Sequence, residues 1–412
     1  MLTLEEALTR LLQAVRPLAE AERVATFDAL SRVLAEPVAS LLDVPPEDNT
    51  SMDGYALRVV DVPAPGSVLP VAQRIPAGSV GAPLAAGTAA RVFTGAQIPP
   101  GADAVVMQEQ CTPQADGGVR VDTVPEPGQW IRRRGEDVRR DSVVLPAGTR
   151  LTPQALGLAA SVGAATLAVA RRPRVALFST GDELVMPGEP LRPGAIYNSN
   201  RYTLRGLLQA LGCECTDLGI VPDSLDATRA ALRSAAGKSD LIVTSGGVSV
   251  GEEDHLRPAV RAEGSLDLWQ VAIKPGKPLA FGSVRRAGEG EGEGAGSAWF
   301  VGLPGNPVSS FVTFLVAVRP LLLRLQGADP AAALPPAVVV RADFDWPRPD
   351  RRREFLRVRR NAEGALELFA NQSSAVLTSA VWGDGVADIA PGQAVRRGDG
   401  VRYLSFADLL GA

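Results

Sequence analysis

The spacing of hydrophobic and polar residues divides the chain into regions with different periods. Near the N-terminus, apolar residues recur every three or four positions, and Thr3 with Glu6 forms the pattern of a helix-capping box. We therefore expect an amphipathic helix over residues 3–35. Residues 56–150 change to short apolar runs separated by Pro and Gly, which is typical of a small β domain. The runs are 68–71, 90–93, 104–108, 119–124 and 143–145.

From residue 171 onward, apolar runs of strand length alternate with segments of helical period. This alternation predicts a doubly wound α/β domain with a mostly parallel sheet, whose ligands bind beyond the carboxyl ends of the strands. Short strands return after residue 330 and indicate a C-terminal β domain. The predicted strands of the α/β domain are 174–179, 214–220, 240–244 and 299–303, and its helices are 201–211, 225–236, 255–262 and 308–325.

Together these patterns predict a multidomain α/β protein in four parts. We expect an elongated N-terminal domain with helical and β segments, a small β domain, the α/β domain and the C-terminal β domain. A Gly/Glu run at 287–296 lies between two strands and is interpreted as a flexible surface loop. The expected bounds are 1–55 with 141–170, then 56–140, 171–328 and 329–412.

Composition narrows the classes of partner and compartment. The 412 residues are 46% hydrophobic and carry a formal net charge of −4, so a nucleic-acid partner is not expected. Three cysteines exclude a disulfide scaffold and fit a reducing compartment. The N-terminus lacks the pattern of a signal peptide, and the uncharged stretch 151–170 is interpreted as a buried helix followed by a strand. We expect a cytoplasmic protein with no membrane partner.

Loops that follow the predicted strands carry the candidate chemistry. Glycines let backbone amides approach phosphate oxygens, and Asn306 with Pro307 predicts a helix start whose amides face an oxyanion. Lys274 and Lys277 add positive charge. Acids in these loops would repel one another, which Mg²⁺ can offset by binding carboxylate and phosphate oxygens. The loops 179–183, 222–223, 245–254, 273–278 and 304–310 thus predict a nucleotide or phosphoanhydride site with a divalent metal.

Two other motifs suggest different chemistry but are less favoured. Residues 247–251 match the G-x-S-x-G nucleophile motif around Ser249, yet the one histidine of the chain, His255, lies only six residues further on. A zinc site could use Cys111, Cys213, Cys215 and His255, but the spacing of the two neighbouring cysteines is unusual for zinc.

A set of longer motifs resembles one known family. They occur in the order Ser51–Ala56, Thr94–Ala96 with Pro99–Val105, Arg134–Asp137, Ser179–Leu184, Ser245–Asp254, Lys274–Pro278 and Gly302–Pro307. The chain resembles the MoeA-type molybdopterin molybdenumtransferases, the family of the gephyrin E domain, over nearly its whole length. Related molybdopterin adenylyltransferases share only the MogA-like α/β domain.

This resemblance implies a reaction on adenylylated molybdopterin. Molybdate, a substrate, is inserted at the dithiolene, and Mg²⁺-dependent hydrolysis of the phosphoanhydride releases AMP. The alternatives are adenylyl transfer to molybdopterin and a non-catalytic molybdopterin-binding scaffold. The resemblance also implies a homodimer whose active site is shared between subunits, and contact with the adenylyltransferase.

The family pattern and the loop chemistry together define the candidate site residues. Catalytic roles are expected for Asp53, Thr94, Asp137, Glu183, Asp223, Asp254, Lys274 and Lys277. Substrate binding is expected for Thr180, Gly181, Ser245, Gly246, Gly247, Ser249, Pro304, Gly305, Asn306, Pro307 and Ser374. Glu183, Asp223 and Asp254 are the expected Mg²⁺ ligands.

Overall fold

The computed structural model describes residues 1–247, 255–286, 296–330 and 337–410. Within these residues the chain forms a multidomain α/β protein, as the sequence predicts. The interpretation of 287–296 as a flexible loop falls almost entirely on residues outside the described ones. The helices are α1 Leu4–Ala14, α2 Pro153–Ser161, α3 Ser199–Ala210, α4 Leu225–Ala236, α5 Leu256–Glu263, α6 Pro307–Leu325, α7 Thr378–Trp382 and α8 Phe406–Leu410.

The N-terminal helix is shorter than predicted. The capping box of Thr3 and Glu6 is present, but α1 ends at Ala14, and the expected helix over 15–35 is wrong. Pro17 explains the end, because proline lacks an amide donor and disfavours helical conformation in the residue before it. The chain then forms the strand Ala21–Ala25, which pairs antiparallel with Thr166–Ala170.

Helix α1 packs on the α/β domain. Leu4, Leu8 and Leu11 belong to the same buried cluster as Leu204 of α3 and Leu322 of α6. The segment 151–170 forms α2 and the strand Thr166–Ala170, in agreement with the interpretation as a buried helix and strand. The predicted division of the chain into four parts stays a prediction.

The central sheet of the described α/β domain has six strands, β1 to β6 in chain order. Four are parallel, in the order β2-β1-β3-β6, and β5 and β4 continue the sheet antiparallel. Strand β4 was not predicted, and β5 was expected only as a strand of unstated bounds before the Gly/Glu run. The strands are β1 Arg174–Thr180, β2 Glu214–Val221, β3 Leu241–Ser245, β4 Gly264–Gln270, β5 Pro278–Arg285 and β6 Ser297–Leu303.

Alternating residues of β1 show how the sheet is covered on both faces. Val175 and Leu177 join the cluster formed with α1, α3 and α6, whereas Ala176 and Phe178 join the cluster formed with α4 and α5. The chain leaves β1 toward β2 on one side and later enters β3 on the other side, so the connections diverge between β1 and β3. Such a switch point is the usual ligand crevice of an open α/β sheet.

Two further sheets belong to the two β regions of the chain. The small β domain has the strand order Ala104–Met107, Gly54–Leu57, Ala89–Val92, Ser67–Ile75, Gly118–Val121 and Cys111–Pro113. The C-terminal sheet has the order Ile273–Lys274, Arg353–Arg360, Gly385–Ile389, Gly400–Ser405 and Val338–Arg341, with Leu366–Leu368 beside the second strand. The first of these strands comes from the α/β domain and therefore ties the two domains together.

Helix α6 is apolar and long, with an irregular centre. Its middle segment, Phe314–Val318, is a π-helix. Pro320 accounts for this, because its ring displaces the preceding turn and removes one hydrogen bond. By length and composition α6 could span a membrane, but 89% of its most apolar window is buried inside the protein, as in the core helix of a folded domain.

Candidate active site

A cavity of about 940 Å³ opens at the carboxyl ends of the parallel strands, at the switch point between β1 and β3. Its wall consists of glycine-containing loops, two carboxylates and one lysine. The lining residues are Thr180, Gly181, Glu183, Leu184, Ile196, Tyr197, Asn198, Ser199, Asn200, Asp223, Ser245, Gly246, Gly247, Lys277, Pro278, Pro304, Gly305, Asn306, Pro307, Ser309 and Ala375.

Glycine is required at two turns of this wall. Gly181 has φ +142°, and a Cβ atom there would lie 2.5 Å from Oε2 of Glu183. Gly246 has φ +90°, and its Cβ would lie 3.0 Å from the carbonyl oxygen of Thr180. Both conformations are costly for other residues. The loops after β1 and β3 can therefore approach each other closely, with their backbone exposed to a ligand.

Asn200 connects the loops after β3 and β6. Its Nδ2 donates to the carbonyl oxygen of Gly305 at 2.8 Å and to Oγ of Ser245 at 3.1 Å. Asn200 is 8% exposed and Ser245 3%. These two bonds hold both glycine loops against the start of α3.

The structure brings most of the predicted α/β-domain site residues to this one cavity. Ser249 and Asp254 lie outside the described residues, as does the centre of the serine-hydrolase motif. The predicted residues that line the cavity are Thr180, Gly181, Glu183, Asp223, Ser245, Gly246, Gly247, Lys277, Pro304, Gly305, Asn306 and Pro307.

Three predicted residues belong to the N-terminal half of the chain and do not line the cavity. Asp53 accepts two hydrogen bonds through Oδ1, from the Thr94 amide at 2.7 Å and from the Thr94 hydroxyl at 2.8 Å. These bonds, the amide first, lower the pKa of the Asp53 carboxyl below its usual value. The Asp137 amide donates to the carbonyl oxygen of Val44 at 3.0 Å.

Lys274 is also absent from the lining of the cavity. Its Nζ lies 3.0 Å from Oε1 of Glu354 and 3.6 Å from Oδ2 of Asp350, both in the C-terminal domain. The Glu354 side chain is only 1% exposed, and its Oε2 accepts from Nε1 of Trp346 at 2.9 Å. The structure thus gives Lys274 a partner inside the protein that the sequence did not indicate.

The start of α6 differs from the expected oxyanion site. Pro307 has no amide, and the Val308 amide donates to the carbonyl oxygen of Ser374 at 2.9 Å. The Val308 amide, which was predicted to be available to an oxyanion, is therefore already bonded to a backbone oxygen of the C-terminal domain. Ser374 lies beside the cavity through this contact, and its neighbour Ala375 lines the wall.

A group of lining residues at the start of α3 was not predicted from the sequence. Ile196 and Tyr197 form a short strand beside Leu184 and Val185, which leads into the helix. The helix begins earlier than predicted, at Ser199, with Asn198 as its N-cap. The Asn-Ser-Asn sequence was a usable signal, because asparagine and serine favour helix N-termini. Of the other lining residues, Pro278 and Ser309 lie in loops that were predicted to form the site but were not assigned a role, and Leu184 and Ala375 were not predicted to line it.

The donor set of the cavity fits Mg²⁺ better than zinc. Glu183 and Asp223 offer carboxylate oxygens, the ligands that Mg²⁺ takes together with phosphate and water. Among the described residues no group of three or more Asp, Glu, His or Cys side chains is arranged to hold a metal. Burial raises the pKa of the Cys213 thiol to about 12 and that of Cys111 to about 11, which disfavours the thiolates that zinc needs.

Comparison with known proteins identifies the family. The family model of the MoeA N-terminal region (domain I and II) matches residues 2–163, that of a probable molybdopterin binding domain matches 176–324, and that of the MoeA C-terminal region (domain IV) matches 339–406. A molybdopterin molybdenumtransferase of Haemophilus influenzae is 44% identical over 328 residues, which cover 79% of this chain and 78% of that protein. A molybdopterin molybdenumtransferase of a Nostoc species is 38% identical over 314 residues, covering 75% and 70%.

A solved structure agrees over almost the whole chain. The molybdopterin biosynthesis moeA protein of Pyrococcus horikoshii has a TM-score of 0.83 and 29% identity, covering 98% of this chain and 100% of that one. With these relatives, the protein is a multidomain transferase of molybdenum cofactor biosynthesis. The chain belongs to the MoeA family of molybdopterin molybdenumtransferases, and the family predicted from the sequence is confirmed.

Proposed function

We propose that this chain inserts molybdate into adenylylated molybdopterin and hydrolyses the phosphoanhydride, releasing molybdenum cofactor and AMP. The observation that supports this most is the cavity at the switch point, where glycine loops, Lys277 and two carboxylates meet in about 940 Å³. A nucleotide-linked substrate carries phosphates that such loops bind and a charge that a lysine neutralises.

The residues of the cavity have different roles in the proposed reaction. The glycine loops held by Asn200 bind and orient the phosphoanhydride, and Lys277 stabilises its negative charge. Glu183 and Asp223 would hold Mg²⁺, which supplies charge neutralisation at the phosphate oxygens. No histidine base is required, because a carboxylate can orient and accept a proton from the attacking water.

We further propose that the active protein is a homodimer with a shared site. Asp53 and Thr94 are bonded to each other and do not line the cavity of their own chain. In the proposed dimer this pair completes the cavity of the partner subunit. We also propose that the protein lies in the cytoplasm and receives its nucleotide substrate from the adenylyltransferase. It is not expected to bind nucleic acid or a membrane.

The test is AMP release by the purified protein from adenylylated molybdopterin, with and without molybdate and with and without Mg²⁺. We expect release to require both. Asp223→Asn should abolish release, whereas Asp226→Asn, an exposed acid in the first turn of α4, serves as the matched control and should retain it.

Other outcomes would replace the proposal. Tight binding of the substrate without any release would identify a carrier or scaffold. Formation of adenylylated molybdopterin from ATP would identify an adenylyltransferase. Full release by Asp223→Asn would contradict the assigned role of this carboxylate.

A further inference from the structure

Arg357 is a buried cation in the strand Arg353–Arg360 of the C-terminal sheet and is only 1% exposed. Buried charges in folded proteins are usually paired with an opposite charge. None of the carboxylates that the structure describes forms an ion pair with Arg357, and burial lowers the pKa of its guanidinium to about 10. The group is therefore still a cation at neutral pH, and no ion pair offsets the free energy that its burial costs.

The guanidinium of Arg357 donates to neutral oxygens in separate segments of the chain. Nε donates to Oγ of Ser379 in α7 at 3.1 Å, and Nη1 donates to the carbonyl oxygen of Phe355 at 3.1 Å. Nη2 donates to the carbonyl oxygen of Ser373 at 3.3 Å. A planar guanidinium presents donors in a fixed fork, which an ammonium group or a neutral amide does not. Arg357 thus joins its own strand, helix α7 and the segment that precedes this helix.

The 371–375 loop, which Arg357 holds, lies at the edge of the cavity. The Gln372 side chain pairs with the Arg357 backbone, because Oε1 accepts from the amide at 2.9 Å and Nε2 donates to the carbonyl oxygen at 3.0 Å. Ala375 lines the cavity, and the Ser374 carbonyl oxygen accepts from an amide at the start of α6. The loop is part of neither a helix nor a strand, so its position depends on such bonds.

We propose that Arg357 is a positioning residue for the substrate cavity, which acts through the 371–375 loop. This inference rests on the proposed function and adds to it a buried residue that does not itself line the cavity. By holding Ser373, the guanidinium places Ser374 and Ala375 against the start of α6 and so fixes the wall that the C-terminal domain contributes. A wall displaced by about an ångström would misalign a bound substrate, because reaction rates depend steeply on geometry.

The first measurement is hydrogen–deuterium exchange of the full-length protein without substrate. Arg357→Met replaces the guanidinium by an unbranched apolar side chain, and Arg357→Lys keeps the charge but loses the fork. In both variants we expect the amides of residues 371–376 and of Val308 to exchange at least about 10-fold faster, because the bond that holds the loop is lost. Val401→Ala is the matched control for destabilisation, since this core residue lies in a strand that does not pair with Arg353–Arg360.

The second measurement is AMP release from adenylylated molybdopterin by variants that circular dichroism shows to be folded. We expect the kcat of Arg357→Lys to fall at least about 10-fold while KM changes less, since a displaced wall affects alignment more than binding. Val401→Ala should keep both values. If Arg357→Met does not fold, Arg357→Lys alone provides the test.

Two results would overturn the inference. The first is exchange of the loop amides that is no faster in the folded Arg357 variants than in Val401→Ala. The second is faster exchange with normal kcat, because Arg357 would then stabilise the C-terminal domain without positioning the substrate. Neither result affects the proposed function, which requires AMP release by the wild type. If the wild type releases no AMP, the proposed function fails, and the exchange measurement still decides whether Arg357 fixes the loop.

Discussion

Nδ2 of Asn200 donates to the carbonyl oxygen of Gly305 across 2.8 Å and so joins the first turn of α3 to the loop after β6. The same nitrogen lies 3.1 Å from Oγ of Ser245, at the end of β3. One buried side chain therefore sets the spacing of two loops that line the cavity proposed to bind the substrate. Its effect on catalysis should be large compared with its effect on stability, because positioning errors of an ångström slow reactions strongly.

Asn200→Ala should remove both bonds and let the two loops separate. We expect a loss of about 1–3 kcal/mol in unfolding free energy, as for a buried polar group left unpaired, together with a fall in turnover of at least about 10-fold. Denaturant unfolding and AMP release would measure the two effects. Gln209→Ala, an exposed amide in the same helix, is the control and should change neither. Normal turnover in a folded Asn200→Ala would show that the loops keep their spacing without this clamp.

Because Lys274 forms an ion pair with Glu354, a loss of activity in Lys274→Ala would have two possible causes. Lys274→Ala would leave the buried Glu354 carboxylate without its cation, at a cost of about 1–3 kcal/mol, since the lysine itself is 42% exposed. Lost activity could then come from a disturbed C-terminal domain as well as from a missing charge. Lys238→Ala, an exposed lysine of α/β-domain loop 237–240, is a control for removing an ammonium group.

A double variant separates the two causes. Lys274→Ala with Glu354→Gln should recover most of the lost stability, because a neutral amide needs no cation, while Trp346 retains an acceptor oxygen. If Lys274 acts on the substrate, turnover stays low in the double variant. If turnover returns with stability, then Lys274 is a structural residue and its predicted catalytic role is wrong.

The α/β domain was predictable where the signals are local. Leu225–Ala236 was predicted with the observed bounds, because Ser224 caps the helix and its apolar spacing is regular. The bounds of β4 and β5 were missed, although these strands are neighbours in sequence and pair with each other across the connection 271–277. Gly181 and Gly246 were predicted because glycine lets backbone amides approach a phosphate, and this role stays a prediction. The structure requires glycine there for its positive φ and for the close approach of Glu183 and Thr180.

Contacts between domains could not be predicted from the sequence. Nothing near Lys274 indicates that Glu354 will meet it, and nothing near Val308 indicates that the Ser374 carbonyl will take its amide. Asn198 and Asn200 look like ordinary helix-start residues until the fold places them on a cavity wall. Local patterns therefore indicated the chemistry of the loops, while tertiary packing decided which groups remain available to a ligand.

Asp240 predicts how stability depends on pH. Burial opposes its ionisation, but hydrogen bonds from Arg171 and from the Arg174 amide outweigh burial and lower the pKa of this carboxyl. A lowered pKa in the folded state adds stability above the unfolded-state pKa of about 3.9, and this stability is lost as the pH falls toward the folded value. Wild type should therefore exceed Asp240→Asn in unfolding free energy by a constant amount above about pH 5, and the difference should shrink below about pH 4.

Urea unfolding between pH 3 and pH 7 would measure this difference. Asp226→Asn, which removes an exposed carboxylate, is the matched control for the loss of one negative charge. A stability difference that grows as the pH falls would mean that the Arg171 bonds do not outweigh burial.

Subunit mixing tests the proposed shared site directly. Asp53→Ala and Asp223→Ala should each be inactive alone, since each homodimer lacks one part of both sites. In a shared-site heterodimer one site carries both substitutions and the other carries neither, because the two residues come from different subunits. Random exchange makes half of the dimers mixed, so a 1:1 mixture should regain about a quarter of wild-type AMP release.

A site built within one chain gives the opposite result. Every subunit would then carry one defect, and mixing could restore nothing. Each variant must keep the far-ultraviolet circular dichroism and the oligomeric state of the wild type before mixing. Mixing Asp223→Ala with Asp223→Asn is the matched control, because both variants damage the same part of the site and no arrangement of subunits can rebuild it. Recovery confined to the Asp53 and Asp223 combination is the outcome that a shared site requires.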